Sequence, residues 1–271
     1  MMVVVLEAVH VPASVDDALA ALGDGSRVIA GGTTIMSAVN TMPLDFTELV
    51  SLRRAGLSGI RVDGGVAVVG ATTTIAELGV DDRLAFLQPV VDTFASPPLR
   101  NLATVGGNLF VPQPGGDLAV CLLALGATVE IVGSDGARDS DIADVLADGV
   151  HAGEIVTAVR FPLPEPGSWF YTKAMRRRFN SAAIVTVAAV VVIEDGVVRS
   201  ARVALGGAGE RPVRAAHAED ALTGKPFDQA TVEAAGTAAL ADATTFDDAF
   251  ASAWYRARVL PVHFRRALLG E

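Results

Sequence analysis

The chain has 271 residues, 51% of them hydrophobic and 19% charged, which is enough apolar material for a large core and excludes a disordered chain or a coiled coil. At roughly 150 residues per domain, the length suggests about two domains. The 31 acidic and 21 basic residues leave a net charge of −10, which argues against a nucleic-acid backbone as partner, and the single cysteine, Cys121, excludes an internal disulfide, a CxxC redox pair and a self-contained Fe–S cluster.

Val3–Val9 reads as a strand; the segment lacks a basic n-region and carries Glu7, so a signal peptide is not expected. Ser14 is placed to cap a helix with Asp16 and Asp17 in its first turn, and Gly23 stops it. Arg27–Ala30 is a short strand, followed at once by Gly31-Gly32-Thr33-Thr34 and a helical stretch through Val39; Leu49–Leu52 is the next strand. Gly59–Val62 and Val66–Val69 form a hairpin pattern around Asp63-Gly64-Gly65. Thr74–Leu78 and Leu84–Ala95 read as helical, Pro97-Pro98 as a break, Asp117–Gly126 as an apolar helix, and Thr128–Val132 and Ile155–Phe161 as strands. Pro162 to Gly167 holds three prolines in six residues and marks a domain boundary.

Beyond it, Phe170–Ala174, Ala182–Ile193 and Val197–Leu205 read as three strands, and helices follow over Ala215–Leu222, Gln229–Ala241 and Asp248–Leu269. Runs of strands and then helices point to an α+β fold. The longest near-apolar run, Ala182 to Ile193, is shorter than the roughly 20 residues of a membrane helix, so a soluble, cytoplasmic protein is expected.

The four histidines, His10, His151, His217 and His263, have no metal-ligand spacing, and no GxSxG elbow occurs. Cys121 lies in an apolar stretch, where a thiol is usually an inert small hydrophobe. Two segments pair glycines with small hydroxyl residues: Ala30-Gly31-Gly32-Thr33-Thr34 and Thr104-Val105-Gly106-Gly107-Asn108. Glycine lets backbone approach a ligand, and exposed N–H groups at a helix start suit a pyrophosphate. Neither matches GxGxxG or GxxxxGK[ST], and two tight strand-to-helix turns explain the same residues equally well.

The order of the motifs carries more. "VIAGGTTIMSAV", "VGATTTIAEL" and "RNLATVGGNLFVPQPGGDLAVCLLALGATVEI", followed by "FYTKAMRRRFNSAAIVTVAA", "VALGGAGERPVRA", "AEDALTGK" and "ASAWYRARVLPVHFRRAL", resemble the FAD-binding medium subunit of molybdenum hydroxylases. This family includes the carbon monoxide dehydrogenase flavoproteins and the flavin portion of xanthine dehydrogenases, and the resemblance covers nearly the whole chain. It implies a two-subdomain α/β FAD-binding domain over residues 1–163 (about 1–55 and 56–163) and a C-terminal domain over 164–271 with a three-stranded antiparallel sheet and helices. Ala30, Gly31, Gly32, Thr33, Thr34 and the following Ile35 match the first FAD loop, and Thr104, Val105, Gly106, Gly107 and Asn108 the second. Asp117 matches an acidic residue expected at the ribityl or flavin end, Lys173 a lysine near the flavin, and Phe94, more loosely, an aromatic near it. The residues alone also allow Asp117 to cap its helix, Lys173 to be a solvated strand residue and Phe94 to be core.

Three positions depart from the family pattern: Thr34, Ser181, and Pro112-Gln113-Pro114 ahead of Asp117. Arg176-Arg177-Arg178 is either a solvated face or a docking surface for an acidic partner. The resemblance implies an FAD-dependent oxidoreductase subunit with no catalytic side chain of its own. It would pass electrons from 2Fe-2S clusters of a small subunit to an external acceptor, with the molybdenum cofactor on a large subunit and the whole assembled as a dimer of heterotrimers. Two other readings stay open: a free-standing FAD oxidoreductase with its own substrate, and a non-catalytic scaffold.

Overall fold

A computed structural model of the chain describes residues 6–39, 44–177 and 180–270. The fold is mixed helix and sheet, divided into two compact units. The first comprises residues up to Ala85, Pro97–Val111 and Thr128–Arg160; the second comprises Phe86–Ser96, Pro112–Ala127 and Phe161 onward.

The first unit holds two sheets. Strands β1 (Ala8–His10), β2 (Ser26–Ile29) and β3 (Glu48–Ser51) form a parallel sheet in the order β1-β3-β2. The strand expected over Val3–Val9 thus appears as Ala8–His10, and residues 1–5 lie outside the described residues. The helix Val15–Ala20 starts where Ser14 Oγ accepts the Asp17 N–H, and it packs Ala18 against Val50 and Leu52. The second sheet has five strands in the order β4-β5-β8-β6-β7: β4 (Ile60–Asp63), β5 (Val66–Gly70), β6 (Thr128–Gly133), β7 (Gly136–Asp141) and β8 (Ile155–Pro162). The hairpin around Asp63-Gly64-Gly65 is β4–β5, paired antiparallel.

In the second unit, β9 (Trp169–Met175), β10 (Ala183–Glu194), β11 (Val197–Gly206) and β12 (Val213–Arg214) make an antiparallel sheet in the order β12-β11-β10-β9. The three strands read from the sequence are present. The fourth, β12, corrects the count: two residues carry no periodicity to read, yet they pair with Ala204 and Leu205. β10 is buried on both faces over most of its length, which is why its sequence is an apolar run interrupted only by Thr186 before Glu194. Val185, Val187, Ala189 and Val191 belong to a core built with Leu222, Val232, Leu260 and Phe264 of the C-terminal helices.

Helix Asp117–Leu125 packs on β10 and β11, and all nine of its residues are buried. Each fully buried Leu or Val there contributes about 1.5–3 kcal/mol of transfer free energy. The last helix spans Ala253–Leu269 rather than starting at Asp248, because Asp248 accepts the N–H groups of Phe250 and Ala251 and Ser252 is the N-cap. Asp248 also pairs at 2.7 Å with the fully buried Arg256, whose guanidinium donates to the Ile184 carbonyl and lies over the Phe246 ring. No helix among the described residues is long and apolar enough to cross a membrane.

Candidate functional site

The two glycine segments meet in the first unit. A side chain on Gly31 would put its Cβ 1.8 Å from the carbonyl oxygen of Leu102 and 3.2 Å from Cα of Ala103. Backbone therefore lies directly on backbone, and the residues leading into Thr104 rest on the Ala30–Thr34 turn. Gly32 has φ +71°, a left-handed conformation that favours glycine, and its carbonyl accepts the Met36 N–H to open the helix Ile35–Val39. Among the described residues no protein acceptor takes the N–H groups of Gly32, Thr33 or Thr34. A partly exposed turn with unused donors at a helix start can hold an anionic group, which fits a pyrophosphate-bearing cofactor.

The second segment is built differently. Thr104 caps the short helix Val105–Asn108, its Oγ1 accepting the Gly107 N–H at 3.2 Å. Val105 N–H donates to Thr73 O, Gly106 N–H to Ala71 O and Asn108 N–H to Thr104 O, at 2.8–3.0 Å. Gly106 is needed because a Cβ there would sit 2.8 Å from Cβ of Ala71. Gly107 is exposed, and a Cβ on it would touch only Thr104 Oγ1. The anchors Ala71 and Thr73 lie in the VGATTTIAEL motif after the β4–β5 hairpin; the motif marks the segment but not the pairing of its carbonyls with the second glycine segment. Thr74 there forms a capping box with Glu77 and an isolated bridge to Thr104.

In the second unit, Asp117 and Lys173 form a buried ion pair, Nζ to Oδ2 at 2.7 Å, with side chains only 9% and 2% exposed. Lys173 Nζ also donates to Thr93 O at 3.0 Å, and Thr186 Oγ1 lies 3.4 Å from Asp117 Oδ1. Tyr171 OH and Thr93 Oγ1 share a hydrogen bond. Burial pushes the Asp117 carboxyl up from its usual value, while Lys173 and Thr186 pull it back. Burial also raises the Cys121 thiol and the Tyr171 phenol well above their ordinary values, with the Asp117 charge adding to both. Thr93, Tyr171 and Thr186 were not singled out from the sequence; they come from three separate elements.

Gln113, one of the residues that depart from the family pattern, straps this region. Its Oε1 accepts the Gly207 N–H and its Nε2 donates to Gly115 O, both at 2.7 Å. Phe94 is buried. Arg176 and Arg177 are exposed, and Arg178 lies outside the described residues.

Residues 5–164 match the family model described as the FAD binding domain in molybdopterin dehydrogenase, and residues 170–270 match the CO dehydrogenase flavoprotein C-terminal domain. The chain belongs to this flavoprotein family. It is 31% identical to the carbon monoxide dehydrogenase medium chain of Afipia carboxidovorans over 96% of this chain and 94% of that one. The xanthine dehydrogenase FAD-binding subunit of Escherichia coli O157:H7 is 30% identical over 86% of this chain and 85% of its own length. The carbon monoxide dehydrogenase structure from Hydrogenophaga pseudoflava that lacks the Mo-pyranopterin moiety superposes with a TM-score of 0.90 at 29% identity, covering 99% of this chain and 98% of that one. As a member of the molybdenum hydroxylase flavoproteins, the chain is an FAD-dependent oxidoreductase subunit, and FAD is its cofactor.

Proposed function

We propose that this chain is the electron-transfer subunit of a cytoplasmic molybdenum hydroxylase, receiving electrons from 2Fe-2S clusters on a small subunit and delivering them to an external acceptor. The molybdenum cofactor and the organic substrate belong to a large subunit, and the assembly is a dimer of heterotrimers. One cysteine cannot ligate a cluster, which is why the clusters are assigned to a partner. When bound, FAD supplies the two-electron to one-electron conversion that such a chain of carriers needs. Residues 1–163 are proposed as the FAD domain and 164–271 as the C-terminal flavoprotein domain.

The observation that carries the reading is the junction of the two glycine segments with the unused N–H groups of Gly32, Thr33 and Thr34. These groups are proposed to hold the pyrophosphate of a noncovalent FAD, with Ala30 and Ile35 continuing the wall. Thr104, Val105, Gly106, Gly107 and Asn108 shape the opposite side through small residues. Asp117 and Lys173 are proposed to face the flavin end, where the paired charges hold local polarity fixed. Denaturation of the purified protein should release FAD and not FMN. Gly107→Val, which adds bulk on an exposed glycine, should lower FAD content more than it lowers the melting temperature. Substrate-dependent dye reduction should need all three subunits; turnover by this chain alone would overturn the electron-transfer reading.

A further inference from the structure

The last helix, Ala253–Leu269, contains four arginines and no acidic residue, in a chain whose net charge is −10. Its inner face sends Leu260, Phe264 and Leu268 into the core. Its outer face carries Trp254, Arg258 and Val262 at four-residue spacing, with Tyr255 beside them, and all four residues are exposed. Trp254 is 69% exposed, and the Arg258 guanidinium lies 5.7 Å from the centre of its ring. No carboxylate among the described residues pairs with Arg258. A single apolar residue on a surface needs no explanation, but an aromatic and arginine stripe along three successive turns has the composition of a protein interface.

Strand β10 fixes where the stripe points. Its side chains alternate: Thr186 reaches Asp117, whereas Val185, Val187, Ala189 and Val191 share a core with Leu260 and Phe264. The stripe therefore lies on the far side of the sheet from the Asp117–Lys173 pair, the end proposed to face the flavin. A small subunit that delivers electrons to the flavin meets the opposite layer. A second copy of this chain does not fit either, because a twofold contact through this face lays arginine against arginine.

We propose that the outer face of the helix Ala253–Leu269 docks the large subunit, on an acidic surface with an apolar pocket for Trp254. This rests on the reading of the chain as one subunit of a three-subunit hydroxylase. Trp254 and Tyr255 supply rigid anchors that lose little entropy on burial, and Arg258 sets orientation by charge. The rest of this acidic chain repels such a partner, so the basic helix is the approach that charge favours.

The test uses the co-expressed three-subunit complex. With p-benzoylphenylalanine in place of Val262, irradiation should cross-link this chain to the large subunit. Trp254→Ala and Arg258→Glu should each raise at least tenfold the concentration at which the diluted complex loses its large subunit, read by native mass spectrometry. FAD content and melting temperature of the free variants should match the wild type. A cross-link to the small subunit, to a second copy of this chain or to lipid would overturn the proposal, as would unchanged dissociation of both variants. Those results leave the three-subunit reading standing. A wild-type chain that co-purifies with neither subunit overturns that reading and this proposal together.

Discussion

The segments Ala30–Thr34 and Thr104–Asn108 look alike in sequence, each a Gly-Gly pair with a threonine within two residues, yet their backbones do opposite things. In the first, the N–H groups of Gly32, Thr33 and Thr34 have no protein acceptor among the described residues. In the second, the N–H groups of Val105, Gly106, Gly107 and Asn108 are all engaged by the protein itself. The first can offer donors to a ligand; the second offers a closely packed, nearly side-chain-free wall. A glycine-rich signature therefore does not say by itself whether the glycines present N–H groups or merely let two backbones touch.

The largest expected effect comes from Gly31→Ala. The added methyl would fall 1.8 Å from the Leu102 carbonyl oxygen, so backbone must move. A loss of about 2–4 kcal/mol is expected, together with loss of FAD, read by denaturant melts and flavin absorbance. Removal of FAD should come next: cofactor at about a hundred times its Kd adds about 2.7 kcal/mol of apparent stability. Amide exchange of the stripped protein would sharpen the contrast. Gly32–Thr34 should exchange quickly without FAD and slowly with it, while Val105–Asn108 stay protected in both. Equal changes in the two segments would erase that contrast.

Smaller effects separate packing from binding in the second segment. Gly106→Ala crowds Cβ of Ala71 at 2.8 Å and should cost about 1–3 kcal/mol, with FAD content falling only as far as the fold does. Thr104→Val keeps the shape but removes the oxygen that caps Gly107, at a cost of about 1 kcal/mol. If Thr104→Val retains FAD while Gly107→Val loses it, the exposed face of Gly107 and not the cap is what the cofactor needs.

Much of the fold was legible because the buried strands carry their pattern openly. β10 is a long apolar run and β4–β5 is a hairpin around Asp63-Gly64-Gly65. β7 was not legible: Gly136–Asp141 is an edge strand with no buried residue, so nothing alternates, and only the turn residues Ser134-Asp135 hint at it. The helix Ile142–Asp148, capped by Asp141, follows it directly. Pro97-Pro98, read as a break, instead opens the helical turn Pro97–Arg100, since proline at a helix start loses no hydrogen bond.

At the site, a Gly-Gly pair with a threonine within two residues marks both segments. Which N–H groups are engaged depended on the carbonyls of Ala71 and Thr73, about thirty residues upstream, and no local pattern encodes that pairing. Lys173 and Asp117 were selected by family resemblance. Their burial against Thr93, Tyr171 and Thr186 required the sheet register that sets Lys173 opposite Thr186.

Cys121 sits fully buried within the helix Asp117–Leu125, and its thiol is pushed well above the ordinary cysteine value. The native cysteine therefore presents no reactive thiol to alkylating reagents or to oxidants diffusing from solvent. A cysteine introduced at an open position such as Val80, which is 82% exposed, would be the one reactive thiol on the molecule. A fluorophore or spin label could then be attached at a single chosen point without first removing any native residue.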